Sequence, residues 1–131
     1  MIASSRRIVA LLIATPPISA SASEIEVFNQ LAQEASACAA YYSFARQCAP
    51  GNAAPAELAK IEASGEAESK LATTFGRSAG MSNAAMAARL TFAVQSAAMA
   101  MKADCTNFSV LKDKYQEACA ALLDNPIKRL E

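Results

Sequence analysis

The chain has 131 residues, which suggests one domain, and it carries 12 basic and 12 acidic side chains. It contains no histidine, and this excludes Ser-His and Cys-His nucleophile pairs as well as histidine-ligated metals. The even charge balance argues against nucleic acid as a partner, because nucleic-acid binding usually demands a basic face.

Residues 1–22 are predicted to be a cleaved secretory signal peptide. Arg6 and Arg7 precede an apolar run over residues 8–14, and small residues suited to cleavage follow at positions 20–22. The run is too short to span a bilayer, although an uncleaved anchor stays open as the alternative. The sequence thus predicts a periplasmic or secreted protein with no stable membrane span after cleavage.

The mature domain, residues 23–131, is rich in alanine, the residue with the best helix propensity. Loss of the two leader arginines leaves 10 basic against 12 acidic residues, a net charge of −2. A first helix is predicted over residues 23–47, with Ser23 as its cap. A second helix is predicted over residues 55–77, beginning at Pro55 and stopped by Gly80.

A third helix is predicted after Ser82, reaching about residue 102, with Arg89 as its single charged residue before Lys102. A helix that is apolar all round is usually buried on several sides. A membrane span is the alternative, but Arg89, Gln95 and many alanines weigh against it. The fourth helix is predicted to begin near Thr106 or Asn107 and to run to about residue 123. Four helices with short connections predict an all-α fold, an up-down four-helix bundle.

Four cysteines lie in the mature domain, an even number that indicates two disulfides in a small exported protein. The first and fourth helices run antiparallel in an up-down bundle. When a residue of one helix lies level with a residue of the other, their two residue numbers therefore add up to a nearly constant value. This favours Cys38–Cys119 and Cys48–Cys105, although whether the second two pair with each other stays open. A Cys38–Cys48 bridge would join residues about 15 Å apart in one helix. A four-thiolate metal site is disfavoured because zinc ligands usually come in closer pairs, so no metal is expected.

Five apolar or aromatic residues are candidate contacts for a ligand or partner: Tyr41, Tyr42, Phe92, Met99 and Tyr115. Helical phase places Tyr42 inward beside Cys38, and it places Tyr115 on the inner face of the fourth helix. Tyr41 lies about 100° away from Tyr42, so it is expected at the flank and able to touch something outside the fold. Simple core packing is the alternative for Tyr42 and Tyr115, and for Met99.

Glu68 is a charged residue on the inner stripe of the second helix, and Arg89 is the lone charge of the third. Because the connection between these helices turns near residue 79, the two side chains should be level. The sequence predicts a partly buried Glu68–Arg89 ion pair, with exposure of both to solvent as the alternative. A single carboxylate lacks the second group that acid–base catalysis normally needs, so no catalytic residue is predicted.

Two segments resemble a set of small exported α-helical proteins of unknown function from Gram-negative bacteria and their phages. The segments are Cys38-Ala-Ala-Tyr-Tyr42 and residues 107–119, Asn-Phe-Ser-Val-Leu-Lys-Asp-Lys-Tyr-Gln-Glu-Ala-Cys, with Asp-Asn-Pro at 124–126. In that set the two cysteines matching Cys38 and Cys119 occur together, and the resemblance implies export and a bundle. It brings no activity, substrate or catalytic residue.

The function predicted from the sequence is that of a non-enzymatic interaction protein, with no cofactor and with an unknown protein partner in the cell envelope. The alternative is a carrier of a small apolar ligand in the bundle core, near Tyr42, Phe92, Met99 and Tyr115. An enclosed cavity would favour the carrier, and an exposed apolar patch would favour the interaction protein.

Overall fold

A computed structural model describes residues 21–126 as four α-helices joined by short connections. The helices are α1 (Ala22–Gln47), α2 (Pro55–Ser78), α3 (Asn83–Ala100) and α4 (Phe108–Asp124), with one 3-10 turn at Cys105–Asn107. The predicted all-α bundle is confirmed. The predicted signal peptide lies, up to residue 20, outside the described residues.

The helix ends follow local signals in the sequence. Pro55 occupies the first turn of α2, and the Ser82 hydroxyl accepts a hydrogen bond from the Ala85 N–H at 3.1 Å. Gly80 adopts a left-handed φ of 79° and ends α2 as predicted. Ser23, the predicted N-cap of α1, is wrong. The cap is Ser21, half a turn earlier, whose hydroxyl accepts a hydrogen bond from the Glu24 N–H at 3.3 Å.

Helix α1 lies at the centre of the bundle. It packs most extensively against α2 and also contacts α3 and α4, whereas the three outer helices touch one another sparingly. Its buried residues therefore do not form one stripe but surround much of the helix: Leu31, Ala32, Ala35, Ser36, Cys38, Ala39, Ala40, Tyr41 and Ala45. Small side chains at most of these positions allow close approach of the neighbouring helices.

Two disulfides tie α1 to the C-terminal part of the domain, in the predicted pairing. Cys38 bonds Cys119 in the C-terminal half of α4, and Cys48 bonds Cys105 in the 3-10 turn. The Cα atoms are 5.4 Å and 5.2 Å apart, respectively, as disulfide geometry requires. Cys119 is fully buried, while Cys105 is exposed.

Helix α3 is not buried on several sides, contrary to the sequence prediction. Within Asn83–Ala100, Ala97 is the single fully buried residue. The reason is the arrangement around α1: α3 packs inward on α1 and has few contacts with α2 and α4. The face of α3 that points away from α1 consequently has no neighbour in residues 21–126.

Candidate functional site

Tyr41 is a core residue, and its predicted position at the flank is wrong. The side chain is 5 % exposed, and its ring stacks on Phe108 of α4 with centroids 5.7 Å apart and planes within 9°. The ring of Tyr115 also packs against that of Tyr41, with centroids 6.2 Å apart. Tyr42, predicted to point inward, is only half-buried. Tyr41 and Tyr42 point in different directions from α1, and both are at least partly covered because α1 has neighbouring helices on several sides.

An open cleft lies between α2 and α4, with α1 as its floor. Its volume is about 560 Å³, within the range of small-molecule sites. Apolar lining comes from Tyr41, Tyr42, Ile61 and Phe108, and charged lining comes from Glu57, Lys60 and Lys112. The Cys48 end of the second disulfide also borders the cleft.

The aromatic part of this cleft belongs to a cluster of four rings centred on Tyr41. Tyr41 packs against three rings, those of Tyr42, Phe108 and Tyr115, with centroid separations of 5.1, 5.7 and 6.2 Å. Burial raises the pKa of the Tyr41 phenol, and the nearby Tyr42 adds to the effect. Both phenols of the cleft therefore stay neutral at physiological pH, since burial, followed by the charge of Glu68, also raises the pKa of Tyr42 against an opposing hydrogen bond from Ser64.

The predicted Glu68–Arg89 ion pair is wrong. Arg89 instead donates two hydrogen bonds to Asn29 of α1, from Nη1 to the backbone oxygen at 3.1 Å and from Nη2 to Oδ1 at 2.7 Å. The sequence expectation that the two side chains are level does not bring them together, because α2 and α3 touch sparingly. Arg89 accordingly reaches α1, the helix on which α3 packs.

Glu68 is buried as predicted, with 0 % of its surface exposed. Neither carboxylate oxygen has a hydrogen-bond partner within the described part of the chain. Burial disfavours the charged form and raises the pKa of Glu68 to about 8. The side chain is therefore mostly protonated at neutral pH.

Phe92 and Met99 do not line the core, and the predicted ligand site beside Tyr42 and Tyr115 is not assembled. Their exposed fractions are 67 % for Phe92 and 78 % for Met99. The two residues are two helical turns apart and share one face of α3. This α3 outer face comprises Ala85, Ala88, Phe92, Gln95, Ser96 and Met99, all of them exposed.

The α3 outer face carries no charge. Arg89, the one charged residue of Asn83–Ala100, points to α1 and is bonded there to Asn29. Contiguous exposed apolar surface is the feature by which interaction sites are recognised, and Phe92 and Met99 are the most exposed large apolar side chains in the described part of the chain.

Two further properties bear on chemistry. Among residues 21–126, no three cysteine, aspartate or glutamate side chains are grouped as metal ligands would be. Over the same residues, no helix combines the length and hydropathy needed to cross a bilayer.

Comparison of the chain with protein-family models, curated proteins and solved structures finds no match. The resemblance to small exported proteins therefore stays an expectation.

Sequence reasoning missed the cleft between α2 and α4. Helical phase in the sequence places Lys60 on an outward face of the second helix and Phe108 on the inner face of the fourth. Both assignments are compatible with the structure, but neither reveals that the two residues border the same cleft. The relative rotation of α2 and α4 about α1 decides this, and no short motif encodes it.

Proposed function

We propose that the mature chain is a non-enzymatic interaction protein of the periplasm or the secreted medium, and that it binds protein through the α3 outer face. The single observation that supports this is the position of Phe92 and Met99, two large apolar side chains left uncovered on the most apolar helix. The two disulfides support the compartment, because such bonds form and persist in oxidising environments.

The occupant that fits this face best is a second copy of the chain. The face offers no charge to attract an acidic or basic partner, and two uncharged faces meet without repulsion. Phe92 also lies next to the midpoint of Asn83–Ala100. An antiparallel pair of α3 helices related by a two-fold axis would therefore place Phe92 against Phe92.

The same pairing matches large side chains with small ones along the rest of the face. With Phe92 on the axis, Met99 faces Ala85 of the second copy, and Ser96 faces Ala88 of the second copy. Each contact occurs twice, as a two-fold interface requires. A large side chain opposite an alanine lets the helices approach closely without overpacking, in the manner of ridges fitted into grooves.

The expected affinity is modest. An 18-residue helix is about 27 Å long, and one such pair buries less than the roughly 800 Å² per partner of standard stable interfaces. We therefore expect a reversible dimer with a dissociation constant in the micromolar range or weaker.

Sedimentation velocity of the mature chain, from micromolar to near-millimolar concentration, tests the proposal. The wild type should shift from monomer to dimer, and Phe92→Glu should remain a monomer because two carboxylates would be forced together at the axis. Val110→Glu is the matched control, since Val110 is an exposed apolar residue on α4, 49 % accessible, and should dimerise like the wild type. A wild type that stays monomeric throughout, or equal behaviour of the two variants, would contradict docking through this face.

A further inference from the structure

The cleft between α2 and α4 carries features that the proposed docking function does not use. We propose that it binds a small amphipathic carboxylate, a molecule with an unbranched or aromatic apolar body and one anionic end. The site is distinct from the α3 outer face, so the two proposals stand or fall independently.

The shape of the cleft suits the apolar body of such a ligand. The α2 wall runs from Ala53, just before the helix, to Ser64, a length of about 16 Å at the helical rise. This accommodates an extended chain of about ten carbons, given the spacing of successive chain atoms in an extended backbone. Tyr42, Ile61 and Phe108 are half-buried along this path, so each has apolar surface left to cover.

The floor of the cleft is rigid enough to act as a preformed site. Tyr41 is fixed by its stacking on Phe108, and the Cys48–Cys105 bond ties the end of α1 to the turn that precedes Phe108. A preformed apolar surface reduces the entropy lost when a ligand is ordered on it.

The charges at the rim decide the sign of the ligand. Lys60 stands on the α2 wall and Lys112 on the α4 wall, against a single acid, Glu57. The one salt bridge among residues 21–126 joins Arg46 to Glu62, so both lysines keep their ammonium groups available. The two lysines and Glu57 give the cleft lining a net charge of +1, so an anionic end is attracted to the rim and a cationic end is repelled.

A titration of the mature chain with decanoate, kept below its micelle concentration, tests this proposal through amide chemical shifts. Decanol and decyltrimethylammonium, with the same chain and a neutral or cationic end, are the matched probes. Decanoate should bind saturably, with the largest shift changes at Tyr42, Ile61 and Phe108. It should bind several-fold more tightly than decanol, and the cationic probe should bind most weakly.

Charge-neutralising variants provide the second arm. The double variant Lys60→Gln/Lys112→Gln should weaken decanoate binding by about two- to thirty-fold, because it removes two solvent-exposed charge contacts, each of them weak. Lys70→Gln/Lys114→Gln removes one charge from each of the same two helices outside the cleft and should leave binding unchanged. Absence of saturable binding, equal affinity for decanol, or shift changes centred on Phe92 and Met99 would each overturn the proposal.

Discussion

The ring of Tyr41 on α1 stacks on the ring of Phe108 at the start of α4, with centroids 5.7 Å apart. This contact joins the central helix to the last helix between the two disulfides, and it forms the floor of the cleft. Packing of the domain and shape of the cleft therefore depend on the same aromatic pair.

Truncation of Tyr41 should cost far more stability than truncation of Tyr42. Tyr41→Ala removes a buried ring and its aromatic contacts, and we expect a loss of about 3–4 kcal/mol in the free energy of unfolding. Tyr42→Ala removes a half-buried ring and should cost about half as much or less. Denaturant unfolding of both variants, with Tyr41→Phe as a near-neutral control, measures the difference. Equal losses would contradict the assignment of Tyr41 to the core.

The buried carboxyl of Glu68 should make the protein less stable as the pH rises. Its pKa is about 8 in the folded chain, against an ordinary value of 4.5, so folding favours the protonated form. Below pH 4.5 both states are protonated and the group has no pH-dependent effect. Between about pH 4.5 and pH 8 the unfolded state releases the proton first, and stability falls, by an upper limit of about 5 kcal/mol over the window.

Glu68→Gln should remove this dependence while keeping the size of the side chain. Unfolding free energies of wild type and variant, measured from pH 4 to pH 9, should diverge with rising pH, the variant becoming the more stable. Glu66→Gln, an exposed position two residues earlier on α2, is the control. A wild-type stability that rises over this window relative to Glu68→Gln would contradict the buried, unpaired carboxyl.

The two disulfides should differ in their accessibility to reductant. Cys38 and Cys119 are 4 % and 0 % exposed, whereas Cys105 is exposed and Cys48 half-buried. Mild reductant followed by alkylation and mass mapping should label Cys48 and Cys105 first. In the chain-entropy model, each disulfide contributes about 4 kcal/mol to the free energy of unfolding. Labelling of Cys38 and Cys119 first would contradict the burial order.

The connection after α3 contains a position at which glycine should stabilise the fold. Lys102 and Ala103 adopt φ values of 53° and 50°, a left-handed conformation that disfavours residues with a side chain. Ala103→Gly should raise the unfolding free energy by about 1 kcal/mol. Ala63→Gly, at an exposed position inside α2, should lower it by about 1 kcal/mol. Thermal unfolding compares the two, and a loss of stability in both would contradict the strained turn.

The helices and the disulfide pairing could be predicted because they depend on local signals and on chain direction. Pro55, Ser82 and Gly80 mark helix ends whatever surrounds them. The pairing of Cys38 with Cys119 needs only that α1 and α4 run antiparallel, not how each helix is rotated about its axis.

The environment of individual side chains could not be predicted in the same way. Helical phase predicts which of Tyr41 and Tyr42 is more buried only if α1 has a single buried face. Helix α1 instead has neighbours on several sides. Apolar composition predicts burial of α3 only if enough neighbours exist to cover it. The partner of Arg89 depends on which helix α3 packs against, and that helix is α1, where Asn29 meets the guanidinium.

Docking of a second copy on the α3 outer face can be observed by site-specific photo-cross-linking. A benzophenone amino acid would replace Phe92 in the mature chain, with the same substitution at Val110 as the control. A dimer formed through this face should give adducts of twice the chain mass from position 92, with the cross-link mapped to residues 85–99 of the second copy, and few adducts from position 110. Adducts from position 92 that map to other parts of the chain, or equal yields from both positions, would contradict it.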